Sequence, residues 1–552
     1  MERFEKKIKN EMKNSDNISY PDFDQMWNDI QQDELKTNGG KPVVIVPRKR
    51  KRFALIAGLT VALLATPVYG ALTYDWSNIL SYREGIQTAL EQGFGQTIEQ
   101  SITKNDITLT VHTASIDDNR TFLLYSIKPN ASWSGKGIRF EQIGLKDQNG
   151  NLIEGNYVHE WNDELGVFQG FFETDWIAKE KTTNVEFVIE NIKFIGDTSR
   201  PINYDPNNSD TQFFKIQQDG IDSVTLQAFE QPEEKTLLRT SIMFTDNKMA
   251  SESWTHIEVM DDMNQPIEKA GISISGTPGA KGEYLTQQVF KTDSLRAENA
   301  KFQLTYDQTL ETTNGIWNIN LNLEKNQLKN ASFKEVLNIP MDNMPMERKI
   351  REMTVTPTQV RLIIEGRGRY YTFPYTDYQL DIGGTLLPGY MLDLDKRMGP
   401  NEMELRFEIA GIDAMSLANQ PMTFIAKHRI NEAEGDNNPI RLTDISAEPQ
   451  SLTTHIAGYP ISWTYYMKDN NLYVESLSSD TIFGGVVQTY YLDGRERQYG
   501  MPAIQGIFGS ENNKRMDVYE NFDKTELDIF ISNYTTHDHD DVLRVPLKAV
   551  LE

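Results

Sequence analysis

The strongest constraint on this chain is a sharp polarity step near its N-terminus. In PRKRKRFALIAGLTVALLATPVYGALTYDW, from Pro47 to Trp76, five consecutive cations (Arg48, Lys49, Arg50, Lys51 and Arg52) give way to a stretch, Phe53 to Tyr74, with no charged residue. A helix of about 22 residues, rising about 1.5 Å at each, crosses a hydrocarbon core of about 30 Å. Tyr74 and Trp76, on either side of Asp75, suit the far membrane interface. Cations on one flank only keep the preceding arm in the cytoplasm and send the bulk of the chain outside. The sequence therefore predicts a cytoplasmic arm over 1–47, a basic stop and membrane helix over 48–76 (apolar span about 53–74), and the lipid bilayer as a partner. A buried core helix would show the polar stripe that this run lacks. A cleaved signal peptide would find small residues near Val68-Tyr69-Gly70, but its charged leader would be unusually long and itself patterned. Gly58, Pro67 and Gly70 weaken the helix in isolation and are tolerated in membrane spans.

Charge divides at the same point. The chain carries a net charge of −25. The part up to Arg52 is slightly basic, so the remainder is more acidic than the total. Such a surface repels nucleic acid and anionic headgroups, which excludes nucleic-acid binding by the large part. The chain has no Cys. Its modules must stand on packing without disulfides, and thiolate zinc sites and Cys nucleophiles are ruled out.

The arm is patterned beyond what an anchor needs. Phe4, Ile8 and Met12 recur every four residues. After Asp22, a potential N-cap, Phe23, Met26, Trp27 and Ile30 fall at i, i+3, i+4 and i+7 on one helical face. Two helices so short cannot cover that stripe by themselves. The acidic residues Asp22, Asp24, Asp29, Asp33 and Glu34 oppose an anionic membrane, so a cytoplasmic protein is the expected cover.

Beyond the span, Ser77 to Gly93 reads as a helix ending at Gly93-Phe94-Gly95. The period then becomes two: Ile107, Leu109 and Val111 alternate with Thr and His, Asp117-Asp118-Asn119-Arg120 makes a turn, and Phe122 and Leu124 return. The run ALEQGFGQTIEQSITKNDITLTVHTASIDDNRTFLLYSI, Ala89 to Ile127, resembles a bacterial domain-of-unknown-function family (4179) found in membrane-anchored, anti-sigma-factor-like proteins of Gram-positive bacteria. Pro21, Asp22, Trp27, Ile30 and Gly93-Phe94-Gly95 follow in the order of that family's pattern. The resemblance implies cytoplasmic capture of an alternative sigma factor, and an outer part of unknown role. It brings no catalytic residues. Zinc-containing anti-sigma arms use a His and two Cys, which this arm lacks.

Strand–break–strand openings recur near Asp106, Ser223, Glu352 and Arg441, at intervals of about 90–130 residues, the size of a β-sandwich. Pro/Asn/Asp-rich joints separate them: DTSRPINYDPNNSD, NIPMDNMPMERK and EAEGDNNP. The expected fold is mainly β: a short helical arm, one membrane helix and serial Ig-like β-sandwich modules outside the cell, over 77–205 (with the membrane-proximal helix), 211–330, 345–431 and 440–552. Whether the last two are one domain stays open.

Few residues suggest chemistry. His537 and His539 in THDHDD would share one strand face and could recruit a metal, or simply mark a solvated hairpin tip. GISISGTPGAKG resembles a phosphate loop in composition only, because Ala precedes Lys281 and Gly follows it. No cofactor, no metal site and no enzymatic activity are expected. The reading is a single-pass membrane regulator whose outer β-rich part senses an unknown extracellular ligand or cell-wall component. Its arm, through Phe23, Met26, Trp27 and Ile30, sequesters a sigma factor. The alternative is a structural or adhesive surface protein that uses the N-terminal helix only as an anchor.

Overall fold

Alternation of β-branched and aromatic residues with polar ones, interrupted by Gly, Asn and Asp at positive φ, makes strands and tight turns along almost the whole chain after Gly95. The computed structural model describes residues 75–548 except 131–136, 179, 246–253, 280–281, 326–331, 343, 345–346, 367–372, 393–400, 505–508 and 511. Among these no helix is long and apolar enough to cross a membrane. The predicted arm, basic stop and span, including Tyr74, lie outside the described residues. The fold is mainly β, as expected.

The first module comprises β1 (Gln96–Lys104), β2 (Ile107–Ile116), β3 (Thr121–Lys128), β4 (Gly137–Lys146), β5 (Leu152–Ile153), β6 (Asn156–Asn162), β7 (Val167–Thr174) and β8 (Thr182–Ile202). The second follows with β9 (Gln212–Gln218), β10 (Ile221–Gln231), β11 (Lys235–Phe244), β12 (His256–Met260), β13 (Ile274–Pro278), β14 (Tyr284–Lys291) and β15 (Lys301–Glu324). A third contains β16 (Phe333–Pro340), β17 (Lys349–Val355), β18 (Gln359–Glu365), β19 (Tyr375–Ile382), β20 (Thr385–Leu392), β21 (Glu402–Glu408) and β22 (Met422–Glu434). The fourth has β23 (Ile440–Leu442), β24 (Gln450–Ile456), β25 (Tyr459–Lys468), β26 (Asn471–Ser478), β27 (Phe483–Asp493), β28 (Glu496–Tyr499), β29 (Met501–Ile504), β30 (Arg515–Tyr519) and β31 (Leu527–Lys548).

The modules are nested, which differs from the serial arrangement read from the sequence. Strands β8 and β15 pair from Ile202↔Phe302 to Thr182↔Glu324. One end of this ladder, with Phe187, Ile189, Trp317 and Leu321, belongs to the first module's core; the other, with Ile202, Phe302 and Leu304, belongs to the second's. The second module is thus an insertion between two strands of the first. The same holds for the fourth and third: Met422, Phe424 and Val545 sit in the third core, while Leu527 and Ile529 at the other end of β31 sit in the fourth. The expected boundaries near 205 and 330 fall just past β8 and β15, and so give each shared strand whole to one module. Pro201 explains part of the misreading. It lies where β8 has passed the end of β4, which stops at Gly137↔Ile195, so its missing N–H breaks no ladder on that side.

The two halves repeat one topology. The first module's sheet runs β1-β2-β3-β7-β6 and the third contains β16-β17-β18-β21-β20; the second runs β13-β14-β11-β10-β9 and the fourth β29-β30-β26-β25-β24. The third module departs in one respect: β20 also pairs with β19, joining its two sheets along one edge.

Candidate functional site

Trp76 is buried, and its ring lies with Ile79, Leu80, Ile86 and Leu90 against Phe122, Leu124 and Phe171 of the first module. The indole roots the chain in the module. Asp75 accepts hydrogen bonds from the Ser77 amide and hydroxyl at 2.9 and 2.6 Å, which starts the turn leading into helix α1 (Glu84–Glu91). The helix ends as its sequence demands. Gly93 takes φ +82°, Phe94 N–H reaches Ala89 O at 2.8 Å and Gly93 N–H reaches Leu90 O at 3.0 Å, the paired bonds of a glycine C-terminal cap. This places Phe94 against the third module's core.

Helix α1 thus touches both halves of the molecule. A Cβ on Gly85 would come within 1.8 Å of Thr358 O, so only glycine permits this approach to the β17–β18 turn. Gln92 Nε2 donates to Ile412 O at 3.0 Å.

Behind the helix the β2–β3 turn meets the β17–β18 turn. Asp117 Oδ1 accepts from the amides of Asn119 and Arg120 at 2.7 and 2.8 Å, and its Oδ2 accepts from the Thr358 hydroxyl at 2.6 Å. Arg120, 1% exposed, then spans the gap. Its Nη1 donates to Glu173 at 2.8 Å and Glu408 at 3.0 Å, its Nη2 to Glu408 at 2.9 Å, and its Nε to Thr358 Oγ1 at 3.1 Å. Arg83, at the foot of α1, holds the other Glu173 oxygen at 2.8 Å, and Tyr390 donates to Glu408 at 3.0 Å. A reciprocal tie runs the other way, from Arg406 of the third module to Asp175 of the first at 2.6 Å.

These contacts set the electrostatics. Burial alone would raise the Glu173 pKa; Arg120 and then Arg83 more than reverse this and bring it to about 2. Burial works against the Arg120 cation, but Glu408 and Glu173 outweigh it and push its pKa up. Burial likewise raises the Tyr390 phenol, with Glu408 adding to it, which keeps the hydrogen-bond donor in place. The junction is a network of paired charged and polar side chains with a fixed geometry, suited to holding two bodies in one relation.

The sequence revealed the turn at Asp117–Arg120 but not its burial, since Thr358 and Glu408 lie 238 and 288 positions from Arg120. The one local signal was a carboxylate at the end of an apolar strand, Glu173 after Phe171-Phe172 and Glu408 after Phe407. Phe23, Met26, Trp27, Ile30 and Arg48 to Arg52 lie outside the described residues. His537 and His539 are not at a hairpin tip. They sit within β31, where it passes from the fourth module to the third, beside His428, whose Nδ1 is 2.9 Å from His539 O. Among the described residues no three His, Asp or Glu side chains converge as a metal site.

Residues 47–129 match the family described as "Domain of unknown function (DUF4179)". The match covers this segment alone. It contains α1, Arg83 and the β2–β3 turn with Asp117 and Arg120, one side of the junction; Glu173, Thr358 and Glu408 lie beyond the DUF4179 segment. No curated protein matches the sequence. One solved structure, "The crystal structure of the conserved domain protein from Bacillus anthracis", aligns at 10% identity and a TM-score of 0.17 over 57% of this chain and 90% of its own, a likeness too slight to bear on the fold.

Proposed function

We propose that this protein is a single-pass membrane regulator: nested Ig-like modules outside the cell act as a sensor, and the cytoplasmic arm sequesters an alternative sigma factor. The observation that carries the reading is the rooting of Trp76 in the first module and of α1 in the junction between the two halves. An anchor needs only a tether at this point. Here the residue two positions beyond the predicted span is buried in the first module, and the helix after it presses on the third. A change in how the halves meet would move the root of the membrane helix, and the arm beyond it.

The test is made at the arm. If the stripe Phe23, Met26, Trp27 and Ile30 docks on a sigma factor, Trp27→Ala removes its central aromatic, a loss of about 2 kcal/mol or about thirtyfold in affinity. Transcription from the sigma factor's promoters should rise while the protein stays in the membrane, and Asp33→Ala, off the stripe, should do much less. Unchanged transcription in Trp27→Ala cells with normal protein levels would reject sequestration and favour the anchored structural protein.

A further inference from the structure

The inserted second and fourth modules also meet, and their contact has an unfilled charge. Phe229 and Leu237 of the second pack on Tyr473, Ala503, Ile504 and Met516 of the fourth. Beside this seam lies a cleft of about 330 Å³, at the small end of the range for ligand pockets. Alternation along β11 points Leu238 into the second module's core and leaves Leu237 at the seam and Arg239 in the cleft. Gln227 and Gln287 stand opposite Arg239 on the two neighbouring strands.

Arg239 is the residue of interest in this cleft. Its Nε is buried with no hydrogen-bond partner, and its guanidinium forms no ion pair among the described residues. Burial lowers its pKa, and Glu283 only partly offsets that through space. Arg120 serves two carboxylates and a hydroxyl; Arg239 serves none. Arg239 is half-buried; its Nε is an orphaned buried donor, and the two remaining nitrogens face the cleft without a protein acceptor among the described residues.

We propose that this cleft binds a small organic monocarboxylate with an apolar body, the carboxylate seated on Arg239. The chemistry of the walls selects that class. The second module contributes the hydroxyls of Ser223, Thr225 and Ser241, while Tyr473, Met501 and Val518 of the fourth form an apolar wall that a bare hydrated ion would not use. Arg239 is the one cation among the described lining residues, and Glu283 and Glu520 also line the cleft, so phosphates and other multiply charged anions are disfavoured. A planar guanidinium matches one carboxylate. Such a ligand would bridge the second and fourth modules. Its role as a signal rests on the sensor reading above; its binding does not.

The test uses the full chain in detergent micelles, with 4-phenylbutyrate and its uncharged amide as probes, followed by calorimetric titration. The carboxylate should bind saturably, about tenfold or more tighter than the amide, as expected for a charge-assisted pair. Arg239→Gln should abolish that preference, and Arg441→Gln, at an exposed ion pair, should keep it. Arg239→Met should fold with an undiminished melting temperature, because the guanidinium has no partner to lose. Absence of saturable binding up to about 10 mM (an affinity near 3 kcal/mol), equal binding of acid and amide, or a lowered melting temperature in Arg239→Met would each overturn the proposal. A failure of Trp27→Ala to alter transcription would leave it standing.

Discussion

The two contacts between the halves are built on opposite principles. At the root, first and third modules meet through largely buried, hydrogen-bonded polar pairs: Arg120 to Glu173 and Glu408, Asp117 to Thr358, Arg406 to Asp175. Near the inserted modules the centre of the contact is an apolar seam, with a cleft beside it and a guanidinium left unmatched; its polar ties among the described residues, such as Asn512 to Gln231 and Lys468 to Asp210, are few. A charged network tolerates little displacement, because every ångström of movement strands a charge. An apolar seam can slide and re-form at modest cost. The difference assigns rigidity to the root, where α1 and Trp76 enter, and adaptability to the cleft, where a ligand could act.

Mutations should separate the two. Arg120→Met removes the cation shared by Glu173 and Glu408, leaving them only Arg83 and Tyr390 among the described residues, and should cost about 3 kcal/mol in denaturant unfolding of the full chain. Arg120→Lys should not rescue it, since one ammonium cannot reproduce the fork that serves both carboxylates. Leu237→Ala in the seam should cost about 2 kcal/mol, the low end for such truncations, because the adjoining cleft lets water in. A seam more sensitive than the root would reverse the comparison.

Acid should act on the two regions with opposite sign. Glu173, held near pKa 2 against an ordinary 4.5, contributes stability that is present above 4.5 and lost as the pH falls from there toward 2. Asp517, inside the fourth module, is raised by burial from 3.8 to about 6, despite hydrogen bonds from Thr489. Its contribution is present below about 4 and lost as pH rises toward 6, at no more than about 1.4 kcal/mol per pH unit. Hydrogen exchange followed module by module should show the fourth module gaining protection from pH 6 to 4.5, before the root loosens below it. Asp517→Asn should flatten the first trend. The smallest effect is expected at Arg441, whose exposed pairs with Glu526 and Asp528 should leave the unfolding midpoint unchanged when it becomes Gln.

How much of this was legible follows from where partners lie. Openings at Asp106, Ser223 and Glu352 are local and became the hairpins β2–β3, β10–β11 and β17–β18. The opening at Arg441 instead spans β23 and β24, two strands that belong to different sheets. Nesting was hidden because a period of two tells which face a residue takes, not which strand it pairs with. Trp317 reads as the end of a second module, yet its indole donates to Ile107 O, 210 positions away. Trp76 next to an apolar run gives no sign of its cover, Phe122 and Phe171. The cleft had no sequence signal, because Arg239 in an alternating strand reads as a solvent-facing charge.

The central claim is that the junction fixes the stem to the third module. The absence of native Cys allows two spin labels to be placed cleanly, at Tyr82→Cys beside α1 and Val336→Cys on β16, both exposed. Electron–electron resonance on the full chain should give one narrow distance distribution, which broadens when Arg120→Met is added. A broad distribution in the parent, or one that Arg120→Met leaves narrow and unmoved, would contradict the account.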